Sequence, residues 1–343
     1  MKRKIVGLLV ALAFLGSSVL TGCGSSTSTT TSGGSASTDA KPKTFQGIIS
    51  TGGTDAVAYA MAASMSNIVA RNYPEIQLSV QASGGGQENQ ENLIAKRVEF
   101  GFLYSPDISD ALVGNGAAKG REAEYKELRA VFAFPYGALQ IMTQADSGIK
   151  TISDLKGKKI CVGAPGSSGA TIVWPRILGY YGIDDKNTKF EYLNTATAAD
   201  ALKDNVIDAM TLLTKGAVGG VSNVALTKKL RMVSIPHDAT FDKILKEVPG
   251  YYKTEGKQDL YGKNQVNDAP IQTLGLTCIV ATRSDVPEDV IYKYTKEIFE
   301  NLPELGKSHG SAKDVTLDDA LKTLVLPLHP GAEKYFKEIG KIK

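Results

Sequence analysis

From residue 45 onward, short apolar runs alternate with stretches whose apolar positions recur at helical spacing. That rhythm predicts βαβ units. Strands are predicted at 45–51, 76–83 and 99–105, with helices over 56–73 and 88–97 between them. The long apolar stretch 127–144 predicts a pair of strands crossing from one region to another. A second series follows, with strands at 158–165, 189–194, 207–213 and 230–235 and helices at 171–182 and 198–205. Residues 271–283 are apolar enough to cross back, and helices are predicted at 287–305, 317–324 and 332–342.

Two α/β series joined by two extended crossings predict two lobes with a cleft between them. The first lobe takes residues 44–135, the second 136–272, and residues 273–343 return mainly to the first. In open α/β sheets ligands bind at the carboxyl ends of the strands. The loops that follow the strands are therefore the first place to look for a site.

The N-terminal segment departs from this rhythm. Lys2, Arg3 and Lys4 precede the run IVGLLVALAFLGSSV, which ends in LTGC. A basic head, a short apolar core and small residues before a cut form a secretory signal over residues 1–22. The run falls short of the roughly 20 residues that span a bilayer. Leu20-Thr21-Gly22-Cys23 resembles a bacterial lipobox, which makes Cys23 the lipidated first residue of the mature chain. Residues 24–40 are mostly Ser, Thr and Gly, and residues 23–43 are predicted to form a flexible tether. The formal charge of +3 disappears with the three basic residues of the signal. A near-neutral mature chain offers no basic excess for nucleic acid. Cys161 and Cys278 then remain, both in strand-like apolar runs. Buried free thiols are expected there, although a disulfide is permitted outside the cytoplasm.

Three glycine-rich loops each follow a strand and precede a helix: STGGTDAVAY, ASGGGQEN and GAPGSSGAT. A helix N-terminus leaves backbone N–H groups unsatisfied and favours negative charge. Glycine lets an anion approach, and Ser or Thr adds hydroxyl donors. Thr54, Ser83 and Ser168 are also good N-cap types, so each loop alone reads as a turn and cap. Three in equivalent places predict converging donors for an anion or zwitterion. The candidates are Thr51, Gly52, Gly53, Thr54, Ser83, Gly84, Gly85, Ser167, Ser168 and Thr171, with Asn89 binding ligand or bracing its loop. Tyr59, Tyr104, Tyr136 and Trp174 are candidate walls or ordinary core. Asp208 is a candidate amine acceptor or a solvated turn.

Other chemistry lacks its residues. A phosphate-binding P-loop needs a lysine where Ala170 stands. No G-x-S-x-G elbow is present, and His237, His309 and His329 are scattered without metal-ligand spacing. The chain is read as a non-enzyme with no cofactor and no metal.

The ordered segments STGGT with Tyr59, SGGGQENQENLIAKRVEFGFL, TISDLKGKKICVGAPGSSG, AADALKDNVIDAM, VATRSDVPEDVIYKYTKEIFENL and LPLHPGAEKYFKEIG resemble the TAXI-type solute-binding receptors of TRAP transporters. The resemblance spans nearly all of the mature chain. It departs at Asp55, Ala56, Gly86, Arg97 and Glu99, and PGSSGAT is a lengthened form of the family loop. It implies a type II periplasmic-binding-protein-like fold in which two lobes close on a small organic acid or amino acid. The receptor would then deliver that solute to a membrane permease of the TRAP type. A receptor for an ATP-driven importer, a secreted enzyme using the same cleft and a sensory lipoprotein are the alternatives.

Overall fold

The computed structural model describes residues 44–54, 56–115, 118–214 and 216–343. The signal, the tether and Cys23 lie outside the described residues. Ten strands form one mixed sheet: β1 (Phe45–Ser50), β2 (Ile76–Gln81), β3 (Phe100–Tyr104), β4 (Leu128–Gln144), β5 (Lys159–Gly163), β6 (Lys189–Tyr192), β7 (Ala209–Thr214), β8 (Leu230–Val233), β9 (Tyr251–Gly256) and β10 (Ile271–Arg283). Their order is β2-β1-β3-β10-β4-β7-β5-β6, with β8 beside β4 and β9 beside β10.

β1, β2 and β3 are parallel, as are β5, β6 and β7. The two parallel groups meet only through β4 and β10, which pair antiparallel from Gly275–Ala138 to Arg283–Leu128. The architecture is therefore the bilobed α/β fold predicted from the two series. The stretch expected to be a strand pair is a single 17-residue strand. Pro135 survives inside it because the register with β10 shifts between Leu276 and Thr277, opposite Pro135 and Gly137. A bulge relieves the ladder of the N–H that proline lacks. An added Cβ on Gly137 beside it would lie 3.2 Å from the Thr214 backbone and press on β7.

The helices are α1 (Val57–Asn72), α2 (Gly86–Ile94), α3 (Ser105–Leu112), α4 (Glu122–Tyr125), α5 (Trp174–Tyr180), α6 (Thr195–Lys203), α7 (Gly219–Ala225), α8 (Ala239–Glu247), α9 (Glu288–Glu300), α10 (Leu302–Ser308) and α11 (Pro330–Glu338). Short helices α3, α4, α7 and α8, and strand β9, have no counterpart in the sequence reading. α3, α4 and α7 span eight residues or fewer, which leaves little periodicity to read. The helix predicted over 317–324 is absent. That segment is a chain of turns ending at Thr323, whose φ is +52°, and the Ala320 carbonyl instead accepts the Ala133 amide of β4.

Separate apolar clusters fill the two halves. One joins Ile49, Met61, Phe100, Phe132, Tyr294 and Phe336; another joins Ile141, Ile160, Trp174, Ile177, Phe241 and Leu274. Cys161 and Cys278 are both buried and free. The three histidines have structural partners. His329 caps α11 through Nδ1, which accepts the Gly331 amide, while its Nε2 meets the Val286 carbonyl.

The LHPG segment has a steric cause as well. A Cβ on Gly331 would sit 2.2 Å from the Glu288 carbonyl oxygen and 2.7 Å from the Tyr292 nitrogen, both backbone atoms of α9. Gly331→Ala must push α11 off α9, so a loss of about 1–3 kcal/mol is expected. Urea unfolding should show a lower midpoint with an unchanged slope. An unchanged midpoint would mean that the two helices do not pack this closely.

Candidate functional site

The first two glycine loops are tied into one unit by Asn89, which is fully buried on α2. Its Oδ1 accepts from Ser50 Oγ and Ser83 Oγ, both at 2.6 Å. Its Nδ2 donates to the carbonyls of Thr51 and Phe102. An Asn amide has two donors and two acceptor positions, and all are used. Asn89 therefore braces the loops and has nothing left for a ligand. Thr51 is buried with its hydroxyl on the Gln81 carbonyl, and Gly52 accepts the Ser83 amide. Gly53 and Thr54 are exposed at the turn before α1, and Tyr59 is half-buried in its first turn.

The anion cradle expected at the second loop is occupied by the protein itself. The Gly84 amide donates to Glu88 Oε2 at 2.7 Å, and the Gly85 amide donates to Ser83 Oγ. A carboxylate from the first turn of α2 thus fills the position a solute anion would take. Gly85, with φ +101°, is the residue that starts α2, and Ser83 is not its cap.

The third loop behaves differently again. Ser167 folds onto its own turn, donating to the Ala164 carbonyl and accepting the Ala170 amide. Ser168 does not cap the helix that follows it. Its Oγ accepts the Gln87 amide of α2 at 2.9 Å, and Thr171 Oγ1 donates to Gln87 Oε1 at 3.1 Å. A serine of the second half therefore caps a helix of the first. Tyr104 and Tyr136 reinforce that meeting, with ring centroids 5.2 Å apart and contacts to both apolar clusters. Burial pushes both phenols upward, Tyr136 to about 12.

Two predicted residues stand elsewhere. Trp174 is 1% exposed and belongs to the core of the second half. Buried there, its indole has no exposed face for a solute. Asp208 immediately precedes β7, and its Oδ2 accepts the Lys159 amide at the start of β5. Both strands run parallel away from it, so Asp208 sits at the edge opposite the loops.

What the halves do enclose between them is a cavity of about 590 Å³, lined by Gln87, Gln90, Asp107, Asp110, Thr171 and Arg176 among others. That volume suits a small solute. Thr171 is the one predicted ligand residue on its wall. Asp107 is 2% exposed, on the first turn of α3, and neither carboxylate oxygen has a hydrogen-bond partner. The Ser168 hydroxyl lies near enough to favour the ionised form. Arg176 makes an ion pair with Asp110 across the halves, while its Nη1 stays without a partner. Gln90 Nε2 and the Tyr251 hydroxyl are buried and equally unpartnered. Buried polar groups normally find partners, so four such residues in one region mark a place built for something else.

Asp107 and Asp110 were not among the expected site residues because α3 was not expected, whereas Gln90 and Arg176 lie on expected helices. Two signals were there to use. Asp107 follows an apolar strand directly at its carboxyl end, and Arg176 is the one charge in TIVWPRILGYYG.

Burial raises the Asp107 carboxyl to about 6, against the smaller opposing effects of the Ser168 hydroxyl and the Arg176 guanidinium. Its folded value exceeds the unfolded one, so its stabilising contribution is complete below about pH 4 and is lost as pH rises through about 6. The loss amounts to roughly 2–3 kcal/mol by pH 8. Asp107→Asn escapes it and should gain that much on the parent between pH 4 and pH 8 in urea unfolding. A difference between the two proteins that is the same at both pH values would exclude a raised carboxyl.

A model of the NMT1-like family matches residues 49–340. Among solved structures, the chain is similar to the alkanesulfonate-binding protein SsuA from Xanthomonas axonopodis pv. citri bound to MOPS. That likeness has 16% identity, 86% of this chain and 91% of that one covered, and a TM-score of 0.46. It is similar also to a TRAP periplasmic solute-binding protein from Pseudomonas aeruginosa with bound L-malate, at 10% identity, 78% and 87% coverage and a TM-score of 0.44. A third, from a Sulfitobacter species with bound β-D-galacturonate, has 12% identity, 87% and 96% coverage and a TM-score of 0.45.

Proposed function

The chain belongs to the NMT1-like family, and on that premise we propose that it is an extracytoplasmic solute-binding receptor, anchored by lipid on Cys23, that hands a small polar solute to a membrane permease. The observation that carries this reading is the cavity between the halves, walled by buried polar groups that the protein leaves unpartnered. The two halves meet through few polar contacts, Ser168 and Thr171 on Gln87 and Arg176 on Asp110. Such contacts can open and reform as a solute enters and leaves. No bond of the solute is made or broken, and it returns to solution unchanged.

The ligand class proposed is a small organic acid or amino acid, and the permease proposed is of the TAXI-type TRAP kind, driven by an ion gradient. The ordered motifs from STGGT to LPLHPGAEKYFKEIG support that assignment. A permease of the ATP-driven type encoded beside this gene would replace it.

Thermal-shift screening against amino acids, organic acids, sulfonates and sugars tests the receptor reading. A solute at a thousandfold its dissociation constant should add roughly 4 kcal/mol and be recovered intact. Conversion of the solute would replace the receptor by an enzyme. The anchor has its own test. Cys23→Ala should move the protein from the membrane fraction to the soluble one, since acyl chains supply about 0.8 kcal/mol per buried methylene; membrane retention by the variant would reject lipidation.

A further inference from the structure

We infer that the solute held in this cavity carries a protonated amine, seated on Asp107, and that its acceptor end faces Gln90 and Arg176: an amino acid or a close zwitterionic relative. The inference rests on the receptor reading and narrows it.

Charge is the first reason. Asp107, Asp110 and Arg176 are the charged residues on the cavity wall. Arg176 is ion-paired with Asp110 and its charge also reaches Asp107, so the wall carries one carboxylate more than it has cations. Taking a lone carboxylate out of water costs several kcal/mol unless a partner replaces the lost hydration. The N-terminus of α3 offsets part of that cost, because Asp107 sits in its first turn. It does so without supplying a hydrogen bond to either oxygen. An ammonium would satisfy both, whereas a plain carboxylate or sulfonate would meet like charge.

The second reason is the set of unpartnered donors. Gln90 is 4% exposed with Nε2 unpartnered, and Arg176 Nη1 is buried and unpartnered. Both are donors only at those atoms and call for an acceptor. Tyr251, within electrostatic range of Asp107, adds a hydroxyl that can donate or accept. One acceptor site that lacks a donor and two donor sites that lack an acceptor share one cavity. A zwitterion supplies both needs at once. The second glycine loop does not take over the anion's role, because Glu88 already fills it.

The test uses matched probes that differ in the amine: L-aspartate and succinate, L-glutamate and glutarate, L-alanine and propionate, L-lysine and hexanoate, taurine and ethanesulfonate. Binding to the purified protein is followed by titration calorimetry at neutral pH. At least one amine-bearing probe should bind at least about tenfold tighter than its partner, ~1.4 kcal/mol. Asp107→Asn should erase that preference while keeping the parent's circular dichroism, and Asp107→Glu should recover part of it. Equal binding within every pair, or binding by the amine-free members alone, overturns the inference and leaves the receptor standing. A preference that survives in Asp107→Asn overturns it too, by removing Asp107 from recognition. Failure of every probe overturns the inference; failure of sugars and all other small solutes besides would remove the receptor reading with it.

Discussion

The antiparallel pairing of β4 with β10 is the constraint on which the rest of the structure depends. Each half is a small parallel sheet that can bury its own faces but has no covalent reason to face the other. β4 and β10 pass through both, and their hydrogen bonds set the distance and angle at which the two groups of loops meet. The bulge at Pro135 to Gly137 lies where one half gives way to the other, and it presents Tyr136 to Tyr104. A bend in these two strands moves every loop of one half relative to the other, while the apolar clusters stay intact on either side.

Polar chemistry at the meeting surface is distributed unequally. The glycine loops, rich in donors, are largely self-satisfied: Asn89 gathers β1, the first loop, the second loop and β3, and Glu88 neutralises the amides of the second loop. They form a hydrogen-bonded rim. The unpartnered groups on the cavity wall belong to the helices behind that rim, α2, α3 and α5. This arrangement places stability and recognition in different residues. Asp107 is the clearest case, since a buried carboxylate without a partner weakens the fold at neutral pH, and such a residue persists where a ligand gains from it.

Much of the architecture was legible in the sequence because it rests on local periodicity. Two α/β series, long apolar crossings and glycine-marked strand ends follow from which residues can be buried on a strand or a helix. The exceptions are short or satisfied by distant partners. Residues 317–324 have helical spacing, yet the Ala320 carbonyl is taken by β4 and Thr323 turns left-handed. α3 holds eight residues starting with Ser-Pro, which reads as a turn until the sheet beneath it is known.

The candidate site divides the same way. By itself the sequence determined that polar, glycine-rich loops would cluster at the carboxyl ends of strands, because parallel βαβ connections put them there. Only the tertiary structure decided which of those groups remain free. Hydrogen-bond partners such as Ser50 for Asn89, Gln87 for Ser168 and Lys159 for Asp208 lie tens of residues away along the chain. Whether a donor binds solute or protein is settled by what folding brings within about 3 Å of it, and no local pattern carries that distance.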